Sequence, residues 1–170
     1  MEAPVLNGSL VRLRPVAPAD HARLAAILAE PSVARWWTPS EPRGAAAEWL
    51  EDGDQVTLVI EHDGAVVGSI QFNEVDEPDY RSAGLDLFLT TDAQGRGLGT
   101  DAVRTVARYL FEVRGHHRLT IDPAAANERA IRAYRKVGFR TVGVMRAYER
   151  GLDGTWHDGL LMDLLAGELT

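Results

Sequence analysis

Cysteine is absent from the 170-residue chain. Its absence excludes a disulfide framework, a thiolate zinc site and a cysteine nucleophile. It also suits a reducing compartment, so a cytoplasmic protein is expected. No apolar run approaches the ~18 residues that cross a bilayer, so no membrane span is expected. The first fourteen residues lack the apolar core of a signal peptide, and none is expected there. Basic clusters are missing too. Lys and Arg number 18 against 25 Asp and Glu, a net charge of −7. That balance argues against a nucleic-acid partner and suits a cationic one. The histidines (His21, His62, His116, His117 and His157) show no metal-ligand spacing, and no metal site is expected. No G-x-S-x-G is present, which excludes a hydrolase nucleophile elbow. Repeats, linkers and low-complexity stretches are also lacking, and the length fits one domain over residues 1–170.

What is present is strong periodicity. Residues 9–14 alternate as a strand. Asp20 can cap a helix running to about Glu30, which Pro31 should stop. Residues 33–42 read as irregular and carry Trp36 and Trp37, and residues 44–51 fit a second helix. Residues 55–61 and 65–73 read as strands joined at Asp63-Gly64, a hairpin signal. An acidic loop leads to a strand over 83–89, a helix over about 97–113 and a short strand over 118–121. Asn127 can cap a helix that Gly138 ends. Residues 139–149 and 155–163 form a last hairpin. This order predicts an α/β (α+β) fold, a mixed and mostly antiparallel twisted sheet of about seven strands flanked by about four helices.

The chemistry concentrates after the strand over 83–89. Gln94-Gly95-Arg96-Gly97-Leu98-Gly99-Thr100 opens the long helix. Glycines at a helix start aim backbone N–H groups at one point, where the helix dipole favours an anion. A dinucleotide fingerprint fails here, because its third glycine would fall on Thr100 and no repeated βαβ units precede it. The pattern Q/R-x-x-G-x-G/A is met in full by Gln94, Gly97 and Gly99. Downstream stands Asp122-Pro-Ala-Ala-Ala-Asn127, then Ala130-Ile131, Tyr134, Lys136 and Gly138-Phe139.

These two motifs, at this separation, resemble the GCN5-related N-acetyltransferase (GNAT) superfamily, over about residues 9–165. The Trp36-Trp37 pair, the acidic loop ending in Gly84-Leu85-Asp86 and the Asp122-Pro123 junction are most similar to its aminoglycoside 6′-N-acetyltransferases. The resemblance implies acetyl-CoA as cofactor. It would be held by Leu87, Phe88 and Leu89, by the loop of Gln94, Gly95, Arg96, Gly97, Leu98, Gly99 and Thr100, and by Asn127, Ala130, Tyr134 and Lys136. It implies two catalytic residues. Asp86 would hold the amine and serve its deprotonation, and Tyr134 would protonate the leaving thiolate. Tyr134 also suits a core position beside Ile131 and Val137, and Asp122 equally suits a strand-end cap before Pro123. The acceptor would be a small polycationic amine, most simply the 6′-amine of an aminoglycoside. It would meet Trp36, Trp37, Glu41, Glu74, Glu77, Asp79, Asp86, Asp122 and Asp158. Two other readings keep the same motifs: transfer to a protein N-terminus or lysine-like amine, and an acyl-CoA-binding domain without catalysis. The family includes monomers and homodimers, and the sequence favours neither.

Overall fold

The computed structural model describes residues 2–37 and 53–170. Its strands are β1 (Leu6–Asn7), β2 (Arg12–Pro15), β3 (Gln55–His62), β4 (Ala65–Val75), β5 (Ser82–Leu89), β6 (Arg118–Ile121), β7 (Arg140–Arg150) and β8 (Trp156–Leu165). The α-helices among the described residues are α1 (His21–Leu28), α2 (Pro31–Ala34), α3 (Leu98–Glu112) and α4 (Glu128–Val137). All strands join one sheet, in the order β1-β2-β3-β4-β5-β6-β8-β7. The eighth strand, beyond the seven expected, is the two-residue β1 paired to β2. The helix expected over 44–51 lies outside the described residues. Pro31 does not leave the chain irregular after α1. It starts α2, because its fixed φ and missing N–H suit the first helical position.

The local signals act as their chemistry requires. Asp63 and Gly64 both take positive φ, +49° and +78°, which turns β3 tightly into β4. Asn127 caps α4 by accepting the Ala130 N–H at 3.3 Å. Asp20 does not cap α1. Its carboxylate accepts the Ala17 N–H and two bonds from the Arg14 guanidinium instead.

Every strand pair is antiparallel except β5 with β6, which the α3 crossover connects. Side chains alternate between the sheet faces. On one face Leu58, Ile70, Leu85, Leu87 and Leu119 pack under Leu98, Val103, Val106 and Leu110 of α3 and Ile131 of α4. On the other, Val59 and Phe88 are covered by Leu24, Ile27 and Leu28 of α1 and Val33 of α2. Further along that second face the register sets Thr57, Gln71 and Asp86 side by side across three strands. A polar row thus continues where the apolar cover stops.

Asp101, in the first turn of α3, is buried and fastens the helix to the N-terminal strands. Its carboxylate accepts the backbone N–H groups of Ser9, Leu10 and Val11 at 3.1, 2.7 and 3.0 Å. Gly8 leaves room for that carboxylate, with which any Cβ would collide.

Candidate active site

β5 and β6 pair in parallel through Leu85 and Ile121 and then part. The next residue along each chain segment is a carboxylate, Asp86 on β5 and Asp122 just past the end of β6. The parting opens the sheet at the carboxyl ends of two parallel strands, where α/β proteins seat ligands. A groove of about 620 Å³ lies on one side of β5, and a second cleft of about 270 Å³ lies around Asp86 and Asp122. The first is large enough for an extended organic ligand.

The groove has a phosphate-binding end. Gly97 is the N-cap of α3, and no side chain caps the helix there. The first-turn N–H groups therefore keep their bonding capacity for an anion. Gly95 and Gly97 take φ of +71° and +79°, and a Cβ at Gly95 would meet nothing within 4 Å. The cradle is thus open, and a pyrophosphate fits it. Gly99 serves packing, since a Cβ there would press on Leu89 Cδ1 at 3.3 Å.

Gln94 holds the loop in place with both ends of its amide. It donates to Leu89 O at 3.0 Å and Ser32 Oγ at 3.2 Å, and it accepts from Arg129 at 2.8 Å. Arg129 lines the groove with Arg35, Arg132 and Lys136, which suits an anionic ligand. Arg129 lies inside the Asn127–Ala130 motif at a position left unspecified by the pattern, so pattern reading passed it over.

Most residues expected at the cofactor come together here. Leu87, Phe88, Leu89, Gln94, Gly95, Gly97, Gly99, Thr100, Asn127, Ala130, Tyr134 and Lys136 all line the groove. Two depart. The Leu98 side chain is 2% exposed in the core, so only its backbone can face a ligand. Arg96 leaves the groove lining and turns its guanidinium to His62 Nε2, 3.4 Å away.

Tyr134 is 7% exposed and packs edge-on against Phe139, yet it reaches the groove wall. Nothing hydrogen-bonds its hydroxyl among the described residues. Burial first, then the carboxylates of Asp86 and Asp122, push its pKa far above the ordinary phenol value. It therefore stays protonated throughout the working range and has a proton to donate.

The second cleft gathers Gln55, Gln71, Asn73, Asp86, Thr120 and Asp122. Asp86 stands on its floor, open to water through the mouth and crowded by protein elsewhere. Its carboxyl is pushed up to about 8 by that crowding, then by the charges of Asp122 and Glu149. The Leu87 N–H, at 2.9 Å, pulls the other way. Glu149 is raised too, by burial and by Asp122. Asp122 accepts a hydrogen bond from the Tyr148 hydroxyl at 2.6 Å. The sequence reading missed Gln55, Gln71, Asn73, Tyr148 and Glu149. The first three were within reach of period-two counting along the β3–β4 hairpin. Tyr148 and Glu149 were not, because β7 changes register between Met145 and Glu149.

Several residues expected at the acceptor lie elsewhere. Glu74 faces the α3 side of β4, where its carboxylate binds Arg114 at 3.1 Å and buried His116 at 2.5 Å. Burial raises its pKa, but His116 and Arg114 outweigh that and hold it below the usual range. Trp36 and Trp37 line the cofactor groove rather than the second cleft. The backbone N–H groups of both bond Val33 O, which carries the turn of α2 onward against β5. The Trp37 indole donates to Leu87 O at 3.2 Å and its ring meets Phe88 edge-on, while Arg35 covers Trp36 at 4.5 Å. Asp158 uses one carboxylate oxygen to accept the Ala147 N–H at 2.8 Å, so it supports β7. Glu77 and Asp79 are exposed on the turn between Val75 and Ser82; those two residues line the cleft, but Glu77 and Asp79 do not. Glu41 lies outside the described residues. No group of metal-ligating side chains occurs among the described residues, and none of their helices is long and apolar enough to cross a membrane.

An anion cradle at a helix start, set where two parallel strands part beside carboxylates, is the layout of an amine acetyltransferase of the GNAT type. The chain belongs to that family: the family model described as acetyltransferase (GNAT) domain matches residues 11–140. Spermidine N(1)-acetyltransferase of Escherichia coli strain K12 is 28% identical over 159 residues, covering 89% of this chain and 84% of that protein. Aminoglycoside N(6′)-acetyltransferase type 1 of Klebsiella pneumoniae is 30% identical over 155 residues, covering 79% and 76%. The structure of Mycobacterium smegmatis RimJ in complex with CoA-disulfide superposes with a TM-score of 0.83 at 26% identity, covering 98% of this chain and 88% of that one.

Proposed function

We propose that this protein transfers the acetyl group of acetyl-CoA directly to a small polycationic amine, with the 6′-amine of an aminoglycoside as the preferred acceptor. The observation that carries the reading is the pair Asp86 and Asp122 at the strand parting, with Glu149 close enough to raise both Asp86 and Tyr148. Two carboxylates in one small cleft, with Glu149 near enough to act on them, attract an acceptor bearing more than one cation. The amides of Gln55, Gln71 and Asn73 beside them suit an acceptor that also carries hydroxyl groups.

When bound, acetyl-CoA supplies an activated acetyl thioester. The N–H groups at the start of α3 and the groove cations would hold its phosphates, and Asn127 and Ala130 would flank its arm. Asp122 and Glu149 hold the incoming cation. Asp86 takes one proton from the ammonium nitrogen, whose lone pair would then be free to form the C–N bond to the acetyl carbon with loss of the thiolate. Tyr134 would give its phenolic proton to that sulfur, and the second proton lost by the nitrogen as the amide forms would restore the phenol. The chain has no thiol to carry the acetyl group itself.

The acceptor is tested by thiol release from acetyl-CoA with kanamycin, tobramycin, spermidine and a peptide bearing a free N-terminus. Saturable turnover with the aminoglycosides, at a kcat/KM at least tenfold above spermidine, is expected. Turnover of spermidine alone would move the acceptor to linear polyamines, and turnover of the peptide alone would move it to protein N-termini.

Tyr134→Phe keeps the ring packed on Phe139 and removes only the hydroxyl. Turnover should fall by about 10²-fold, the scale of a general acid, with Tm almost unchanged. An unaltered kcat would leave Tyr134 as a core residue.

A further inference from the structure

Tyr148 belongs to neither sequence motif and lies on the edge strand of the sheet, yet its hydroxyl donates to Asp122 Oδ2 at 2.6 Å. A distorted strand makes that contact. β7 slips against β8 between Met145 and Glu149, and within the slip Ala147 has φ of +49°. A residue with a side chain rarely adopts this left-handed conformation. Asp158 Oδ1 accepts the Ala147 N–H at 2.8 Å and holds the bulge. Gly159 opens the space beneath, since a Cβ there would lie 2.9 Å from Tyr148 Cδ1. Local strain persists where its surroundings over-determine it, and it clusters at working sites. Here a bulge, a carboxylate and a glycine together aim one phenol at one carboxylate.

Asp122 needs such a partner because it faces a second acid. Two neighbouring carboxylates tend to share one proton unless their surroundings separate them. The groups facing the pair are Glu149, Tyr134 and Tyr148, with His157 beside Glu149. The Tyr148 hydroxyl engages one oxygen of Asp122 and fixes the direction of its carboxylate. Asp86 has no side-chain donor among the described residues, only the adjacent Leu87 N–H.

We propose that Tyr148 is a positioning residue for the transfer: by donating to Asp122 it fixes that carboxylate in place for the acceptor's cation and leaves Asp86 to take the proton from the reacting amine. The inference rests on the reading of Asp86 as the base. In the step concerned, an N–H bond of the ammonium breaks and its proton goes to an Asp86 oxygen. Tyr148 keeps its own proton throughout. The rise of its phenol to about 12, caused first by the bond to Asp122, agrees with a hydroxyl that does not ionise.

The test is Tyr148→Phe in the full chain, with kcat and KM for the acceptor followed from pH 6 to 10. Phe keeps the ring over Gly159. The ascending limb of kcat/KM belongs to Asp86 and should not move up, because the bond that is lost is to Asp122. Activity at neutral pH should fall about tenfold through a raised acceptor KM. In an Asp122→Asn background the same substitution should add nothing further. A fall in kcat with the acceptor KM unchanged, or a loss that adds in full on Asp122→Asn, overturns the inference and leaves Tyr148 a packing residue. Asp86→Asn separates the two readings: if it alone keeps full turnover, the assignment of the base has failed and not merely the role of Tyr148.

Discussion

Asp86→Asn should lower kcat by about 10²- to 10⁴-fold, the range lost with a general base, while the KM for acetyl-CoA stays within about twofold. The amide keeps the size of the side chain but cannot take up the proton. The pH dependence has a definite sign. Asp86 must be charged to accept a proton, and its carboxyl is held up to about 8 by burial first and then by the charge of Asp122. The rate should therefore rise with pH toward that value. A bound ammonium favours the charged form, so the limb in kcat should lie below the limb in kcat/KM. The same substitution should stabilise the fold. An unfolded aspartate titrates near 4, so between about pH 4 and 8 the folded chain holds the extra proton and stability falls as pH rises. Asp86→Asn removes that dependence. Its Tm should match the parent near pH 4 and exceed it by ~2–4 °C at pH 8, with solvent at the cleft mouth keeping the gain small. A rate unchanged at every pH would show that another group serves the amine.

The legible part of this site is the part built from local chemistry. Gly95 and Gly97 announce a backbone that side chains would obstruct, and Asn127 announces a helix start. Both signals need only a few consecutive residues. The strand carrying Asp86 is equally plain, because alternation sets the acid opposite Leu85 and Leu87. The illegible part depends on residues distant in the chain. Glu74 looks like one more loop acid until Arg114 and His116 arrive from the end of α3 to claim it. Trp36 and Trp37 look like substrate platforms, but the position of α2 against β5 turns them to the groove. The Tyr148 contact depends on a two-residue slip of β7 around Ala147, which no hydrophobic period records. Of the fold, the helices and hairpins follow from spacing. The two-residue β1 does not, since so short a strand carries no period.

Asp101→Ala should be the most damaging single change to the fold outside the apolar core. It removes the acceptor for three N–H groups at the turn between β1 and β2, of which that of Val11 is buried while Ser9 and Leu10 are exposed. Stranding a buried donor costs about 1–3 kcal/mol and the two part-buried bonds to a charged group add less, so a loss of about 2–4 kcal/mol is expected. Urea unfolding should show the midpoint drop at an unchanged slope, and Tm should fall by ~10 °C. Asp101→Asn keeps one acceptor oxygen and should lose about half as much. A loss under about 1 kcal/mol for the alanine variant would mean that water replaces the carboxylate at no great cost.

The parallel pairing of β5 with β6 also governs when the site can come into being. Hairpins such as β3–β4 close over a two-residue turn and can form early. The β5–β6 pair closes only after the whole α3 crossover has been ordered, so it bears the larger loop-closure entropy. Asp86 and Asp122 become neighbours only at that late stage. A half-folded chain thus carries every motif residue and still has no site, and activity is tied to the completed topology rather than to any separable segment.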